Sequence, residues 1–294
     1  MYNLVKLQKK NRLNKRGKGE KLIFIIVFIL FVFYFIGIIY PYIFGFNASL
    51  KENGRAFMRD MVGIANPMNF GNYRIALSKL VVSDNSFFMM TFNSLWYSIG
   101  TTGLSLFFCA MSTYVVCFYR NAYTRFIYNL VIFTMILPIV GSGPASYRLI
   151  AQLGLMQSPL ILVVSMGGLL NLILYAYFKV ISWTYAEAAM IDGAGHFTIY
   201  FKIMLPQALP IMSILFATGV VGAWNDYSTP ILYLNESYPT LASGLYVYES
   251  KIKYLANQPV FFAGALMAAL PPVILFALMQ NFLMTRVYLG GIKG

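Results

Sequence analysis

Nine carboxylates, one histidine and two cysteines are all that 294 residues offer for reaction chemistry. The acids are scattered through polar segments, so they supply no clustered pair for general acid–base work. His196 with Cys109 and Cys117 is too small a set for a His/Cys metal site. The two cysteines share one apolar run; on a helix they would lie about 12 Å apart along the axis, beyond disulfide reach. A G-x4-G-K-[ST] nucleotide loop is absent. An enzyme, a metal centre and a cofactor held by this chain are therefore not expected. Two polar stretches remain. Glu187-Ala188-Ala189-Met190-Ile191-Asp192-Gly193-Ala194 sits between two long apolar runs, and Trp224-Asn225-Asp226-Tyr227 places an amide and an acid between aromatic rings within another.

The elements that must position these stretches are membrane spans. The chain is 59% hydrophobic and 11% charged, against about 25% charged residues in soluble domains. A charge at mid-span costs roughly 2.5–3.5 kcal/mol on insertion scales, which accounts for the shortfall. The net charge of +13 does not indicate nucleic acid, because eight of the 22 Lys+Arg fall in residues 1–21, ahead of the first apolar run. A basic flank beside a span is the positive-inside signature, with an attraction to anionic membrane lipid.

The reading is an all-α integral membrane protein with six spans. Residues 1–21 form a basic tail and 22–46 a first span, too long for a signal-peptide apolar region. Residues 47–87 form an extracytoplasmic polar loop with some helical character, and 88–294 the core domain. Uncharged gaps place further spans near 90–118, 126–144, 159–180, 206–234 and 261–285. With both termini cytoplasmic, the inner segments hold fourteen Lys/Arg against three acids and the outer segments eight against five. The less basic side is the longer one, so this orientation is favoured, and it puts 182–206 in the cytoplasm.

That stretch reads as helix, glycine bend, helix, span. Ser182 or Thr184 can cap, and Thr184-x-x-Glu187 fits a capping box. Ala186, Ala189 and Met190 share a face at i, i+3, i+4. Asp192-Gly193 can end the helix, because glycine accepts the left-handed conformation. Phe197 and Phe201 share a side of the next piece, His196 is expected at the surface, and Pro206 opens the following span where its missing N–H is harmless. Glu187 has two readings, a cap for its own helix or a contact for another protein.

Glu187-Ala188-Ala189, three residues, Gly193, nine residues, Ile203-x-Leu205-Pro206 resembles the EAA loop, E-A-A-x3-G-x9-I-x-L-P, of bacterial ATP-binding-cassette importer permeases. Every fixed position is present. Trp224-Asn225-Asp226-Tyr227, then Pro230, then Pro239-Thr240-Leu241, is similar to the W-N-D-[FY]…P…TL pattern of the carbohydrate-uptake branch, the maltose-type second permease. Leu153-Gly154-Leu155 and the Gly290-Gly291-Ile292-Lys293-Gly294 tail agree. The resemblance covers residues 40–294. It departs at Ser182, where the family often has Pro.

The resemblance implies the type I ABC importer permease fold in a bacterial inner membrane. It implies one half of a translocation pathway for a sugar or oligosaccharide, in a heterodimer with a second permease subunit. A separate ATP-binding-cassette ATPase dimer would use the ATP, and a periplasmic or extracellular solute-binding protein would deliver the cargo. Glu187, Ala188, Ala189, Asp192, Gly193, Ala194 and Pro206 would couple to the ATPase. Trp224, Asn225, Asp226 and Tyr227 would line the pathway, or Asn225 and Asp226 would bond a neighbouring helix. Asn93, Asn171, Gln280 and Asn281 read as helix–helix contacts. Competing readings are an importer permease for a non-sugar solute and an ion-coupled secondary transporter. The latter would want several buried carboxylates, and only Asp226 qualifies.

Overall fold

A computed structural model describes residues 18–119, 121–136, 142–163, 169–234, 236–255 and 257–290. Most of the basic tail, Gly141, the Gly291–Gly294 tail and the side chains of Asn171 and Asn281 lie outside the described residues. The chain is all-α. Its helices are α1 (Lys18–Ser49), α2 (Gly54–Arg59), α3 (Gly71–Lys79), α4 (Phe87–Phe118), α5 (Ala122–Ile136), α6 (Ser142–Gln152), α7 (Leu169–Phe178), α8 (Thr184–Ile191), α9 (His196–Ile199), α10 (Leu205–Asn225), α11 (Ser228–Tyr233), α12 (Leu241–Leu255) and α13 (Gln258–Gly290).

Among the described residues, four stretches are long and apolar enough to cross a bilayer: Gly19–Ser49, Phe87–Phe118, His196–Asn225 and Gln258–Gln280. α5 and α7 have 15 and 10 residues and each borders a segment outside the description.

α4 is the central post. Its 32 residues rise about 48 Å, more than the roughly 30 Å hydrocarbon layer, so its ends project beyond it. It packs against α10, α7 and α12. Its buried stripe, Ser94, Ser98, Thr101, Thr102 and Ser105, is small and polar, the composition that lets helices approach closely in lipid. A Cβ added at Gly219 of α10 would stand 2.6 Å from Thr102 Cγ2. Asn93 also lies on this post and donates to the Pro239 carbonyl at 3.0 Å, while Ser94 Oγ accepts from Leu241 N at 2.7 Å. Pro239-Thr240-Leu241 thus anchors α12 to α4.

α1 is exposed along most of its length and meets the rest near its end, where Phe44 packs edge-on to Phe262 of α13 at 5.7 Å. The 47–87 loop is folded by side-chain amides. Asn47 donates to Gly63 O and accepts from Ala65 N, both at 2.9 Å, and buried Asn72 donates to Ser49 O and Lys51 O.

Most of residues 145–158 lie in α6 or its exit turn. Pro144 falls within the first turn of that helix, where proline is tolerated, and Gly154 at φ +67° ends it with Leu155 N donating to Ile150 O. The helix that covers most of the span expected at 206–234 begins ten residues earlier, at His196, and stops at Asn225.

Candidate functional site

α8 starts one residue away from the expected cap. Thr184 is the first residue inside the helix, so its hydroxyl is not placed as a cap acceptor. Ser182 Oγ instead accepts from Thr184 N at 3.3 Å and donates to Thr184 Oγ1 at 3.0 Å. The Trp183 carbonyl takes the N–H groups of Ala186 and Glu187. The Thr184–Glu187 capping box does not form, and Glu187 is left exposed.

The helix ends as the glycine predicted. Gly193 has φ +81°. Gly193 N donates to Met190 O at 3.0 Å and Ala194 N to Ala189 O at 2.9 Å. This is the paired closure of a Schellman motif, in which a left-handed residue satisfies the last carbonyls. Ala194 packs on the same apolar cluster as Ala189, the hydrophobic contact that accompanies the motif.

Of the face shared by Ala186, Ala189 and Met190, the two alanines are turned inward and Met190 is 37% exposed. Ala186 and Ala189 are buried in a cluster with Ile199, Tyr200 and Met204. The outward edge is Tyr185, Glu187, Ala188, Ile191 and Asp192, with Ile191 87% exposed. Small side chains are needed on the inner side because the helix crosses close beneath the bundle.

Aromatic contacts fix this helix to α4. Trp183 stacks on Phe118 with centroids 4.8 Å apart, and Tyr119 meets Trp183 edge-on at 6.4 Å. The Tyr119 hydroxyl and His196 Nδ1 lie 2.6 Å apart, so His196 is exposed yet bonded. Tyr114 packs against Tyr200 at 4.9 Å. The run Tyr114-Val115-Val116-Cys117-Phe118-Tyr119 carried the signal, three rings at the end of a span, without showing what they hold.

From α9 the helix runs into α10 through a π turn, Tyr200–Met204, with Leu205 N donating to Tyr200 O. Pro206 explains the wide turn. It lacks an N–H and its ring would strike the carbonyl four residues back in a regular helix; the π turn takes up the mismatch.

The second stretch divides. Trp224 is buried, and its Nε1 donates to Ala268 O of α13 at 3.0 Å. Asp226 lies between two helices: it closes α10 and opens α11. Its Oδ1 accepts from Ser228 N at 3.0 Å, Ser228 Oγ at 2.9 Å and Thr229 N at 3.2 Å, while Tyr97 donates to Oδ2 at 3.1 Å. Trp224 and Asp226 are therefore bound within the chain. Asn225 and Tyr227 are exposed; Asn225 Nδ2 donates to Val221 O at 2.8 Å, leaving its Oδ1 outward, and Tyr227 stacks on Tyr246 of α12 at 4.8 Å with 13° between planes. Tyr246 was not singled out from the sequence, because nothing local links it to a residue on another helix.

Among the described residues no three His, Cys, Asp or Glu side chains cluster as metal ligands.

Comparison with known proteins identifies the chain. Residues 107–287 match the family described as binding-protein-dependent transport system inner membrane component. The galactooligosaccharides transport system permease protein GanQ of Bacillus subtilis is 31% identical over 212 residues, 68% of this chain and 74% of the relative. The maltose/maltodextrin transport system permease protein MalG of Escherichia coli K12 is 32% identical over 219 residues, 68% of this chain and 72% of the relative. The maltodextrin transport system permease protein MalD of Streptococcus pneumoniae is 28% identical over 270 residues, 87% of this chain and 91% of the relative. Among solved structures, a chain of a bacterial ABC transporter involved in the import of the acidic polysaccharide alginate superposes with a TM-score of 0.75. That match has 21% identity and covers 91% of this chain and 98% of the other, a likeness of fold. The matched region spans more than half of the sequence, and the chain belongs to the binding-protein-dependent transport system inner membrane components.

Proposed function

We propose that this chain is one of two permease subunits of an ATP-driven importer for a sugar or oligosaccharide, and that α8 is where a separate ATPase subunit grips it. The observation that carries the reading is the mounting of α8. Its inner face is packed on the bundle, its end is closed by Gly193, and its start is stacked on α4 through Trp183. A push on its outer edge, Glu187, Ala188, Ile191 and Asp192, is passed to α4 and, through the π turn, to α10. Ala189, Ala194 and Pro206 serve this coupling from inside, by seating the helix and setting the start of the span. Rigid-body alternating access needs such a stiff connection.

Six crossings with both termini in the cytoplasm, the domain limits given by the charges, and an outer position for 47–87 belong to the same proposal. The oligosaccharide cargo rests on the relatives, whose names cover galactooligosaccharides, maltose and maltodextrin. A binding protein delivering cargo and a partner permease completing the pathway follow from the family. Within this chain the pathway wall is Asn225 and the Tyr227–Tyr246 pair, not Trp224 or Asp226: an exposed ring face suits the apolar face of a sugar and an amide its hydroxyls.

The test is uptake by vesicles holding this chain, its partner permease, the ATPase and the binding protein. ATP-dependent accumulation of a labelled oligosaccharide that stops without the ATPase supports the reading. Uptake driven by a proton or sodium gradient without the ATPase would show a secondary transporter, and uptake of an amino acid instead would overturn the cargo.

A further inference from the structure

A second site lies at the same end of the bundle as α8. A cavity of about 300 Å³ opens between the end of α4, the start of α5 and the end of α7, and it is lined by Asn121, Thr124, Arg125, Tyr128, Tyr175 and Lys179 among others. Two of these side chains are cationic and none of the lining residues is an acid. We propose that this cavity holds the phosphate group of an anionic membrane phospholipid.

Three features support a phosphate ester. First, Arg125 stands in the first turn of α5, where the helix dipole disfavours a cation. It is not needed to start that helix, because Asn121 and Thr124 already cap each other: Asn121 Oδ1 accepts from Thr124 N at 2.9 Å, and Thr124 Oγ1 from Asn121 N at 3.1 Å. A bound anion offsets both the guanidinium and the helix start. Second, Lys179 follows α7 directly, so a second cation faces the same space from another helix. Third, Tyr128 and Tyr175 lie ring to ring at 4.5 Å and wall the cavity with amphipathic groups of the kind that settle at headgroup depth. Lys179 precedes α8 by only a short turn. The cavity therefore opens toward the cytoplasmic leaflet, on the coupling reading given above, and that leaflet is where basic pockets between spans meet anionic headgroups.

A soluble phosphate ester has the same chemistry, so the experiment separates the two. The full-length chain, purified in neutral detergent, is titrated with phosphatidylglycerol and with phosphatidylcholine and the bound lipid is read by native mass spectrometry, with and without millimolar inorganic phosphate. The expected result is retention of phosphatidylglycerol over phosphatidylcholine, unaffected by free phosphate. Arg125→Gln and Lys179→Gln should each lower phosphatidylglycerol affinity roughly fivefold, the effect of one cation near an anionic surface. Arg125→Lys keeps the charge and should retain most of the affinity, and Arg148→Gln should change nothing. Equal phosphatidylglycerol affinity in wild type and the Arg125→Gln/Lys179→Gln variant overturns the site. Displacement by inorganic phosphate without a lipid preference overturns the lipid assignment. Neither readout involves transport or the ATPase, so each fails independently of the importer reading.

Discussion

Tyr97 and Asp226 are 129 residues apart in sequence, and the phenol of one donates to the carboxylate of the other at 3.1 Å. The bond ties the post α4 to the break between α10 and α11. The remaining oxygen of Asp226 is occupied by Ser228 and Thr229. The carboxylate thus sets a helix start and an interhelical distance together.

Asp226→Ala should therefore cost stability and not specificity. Losing a capping acceptor costs about 1 kcal/mol, within a range of roughly 0.5–2, and stranding the Tyr97 hydroxyl adds about 1–3 kcal/mol. Asp226→Asn keeps an acceptor for the cap and should lie much closer to wild type. Thermal unfolding of the purified chain checks both. A large shift in the cargo preference of Asp226→Asn with unchanged stability would contradict the assignment.

Glu187→Ala should behave in the opposite way. Its side chain is exposed and makes no cap, so the stability change should stay within about 0.5 kcal/mol, as for other surface substitutions. Uptake should fall at least about tenfold, the loss of roughly 1.4 kcal/mol of coupling. Parallel measurement of melting and of ATP-dependent uptake decides between docking and capping.

Gly193 tests the bend itself. A Cβ there would meet nothing within 4 Å, so Gly193→Ala should cost only the backbone term, about 1–2 kcal/mol for a left-handed alanine. Gly193→Asn should cost less. Gly193→Pro also removes the donor to Met190 O and should uncouple ATP hydrolysis from uptake while the chain still reaches the membrane.

Gly219 tests the packing of α10 on α4. A side chain there would meet Thr102 at 2.6 Å, so Gly219→Leu should push the helices apart and lower the yield of folded chain, with overpacking costing about 1–3 kcal/mol. Thr102→Ala should partly rescue Gly219→Ala. Size-exclusion profiles of the single and double variants show whether the two positions share one contact.

Four long apolar helices were legible because charge is excluded from lipid, and the gap from Asp84 to Arg120 contains the whole of α4. The Gly193 bend was legible because left-handed backbone calls for glycine. The capping was not, since Ser182 and Thr184 both have capping side chains and the helix instead starts from Trp183, between them. Nor was the orientation of α8. An eight-residue helix carries two alanine stripes of similar character, and the choice between them is made by what lies beneath. The residues around Asp226 are apolar, which hides in the sequence that its side chain stands at a helix end. Tyr246 and Trp183 gained meaning only from partners far along the chain.

The π turn at Tyr200–Met204 has a consequence for every residue after it. One residue more than a regular helical turn rotates the rest of the rod by about 100°. With that offset in place, Gly219 faces Thr102 and Trp224 reaches Ala268. Deleting a single residue within Tyr200–Met204 would leave α9 and α10 each helical while turning the packing face of α10 away from both neighbours. The turn thus works as an indexing step, setting the azimuth of the helix that follows.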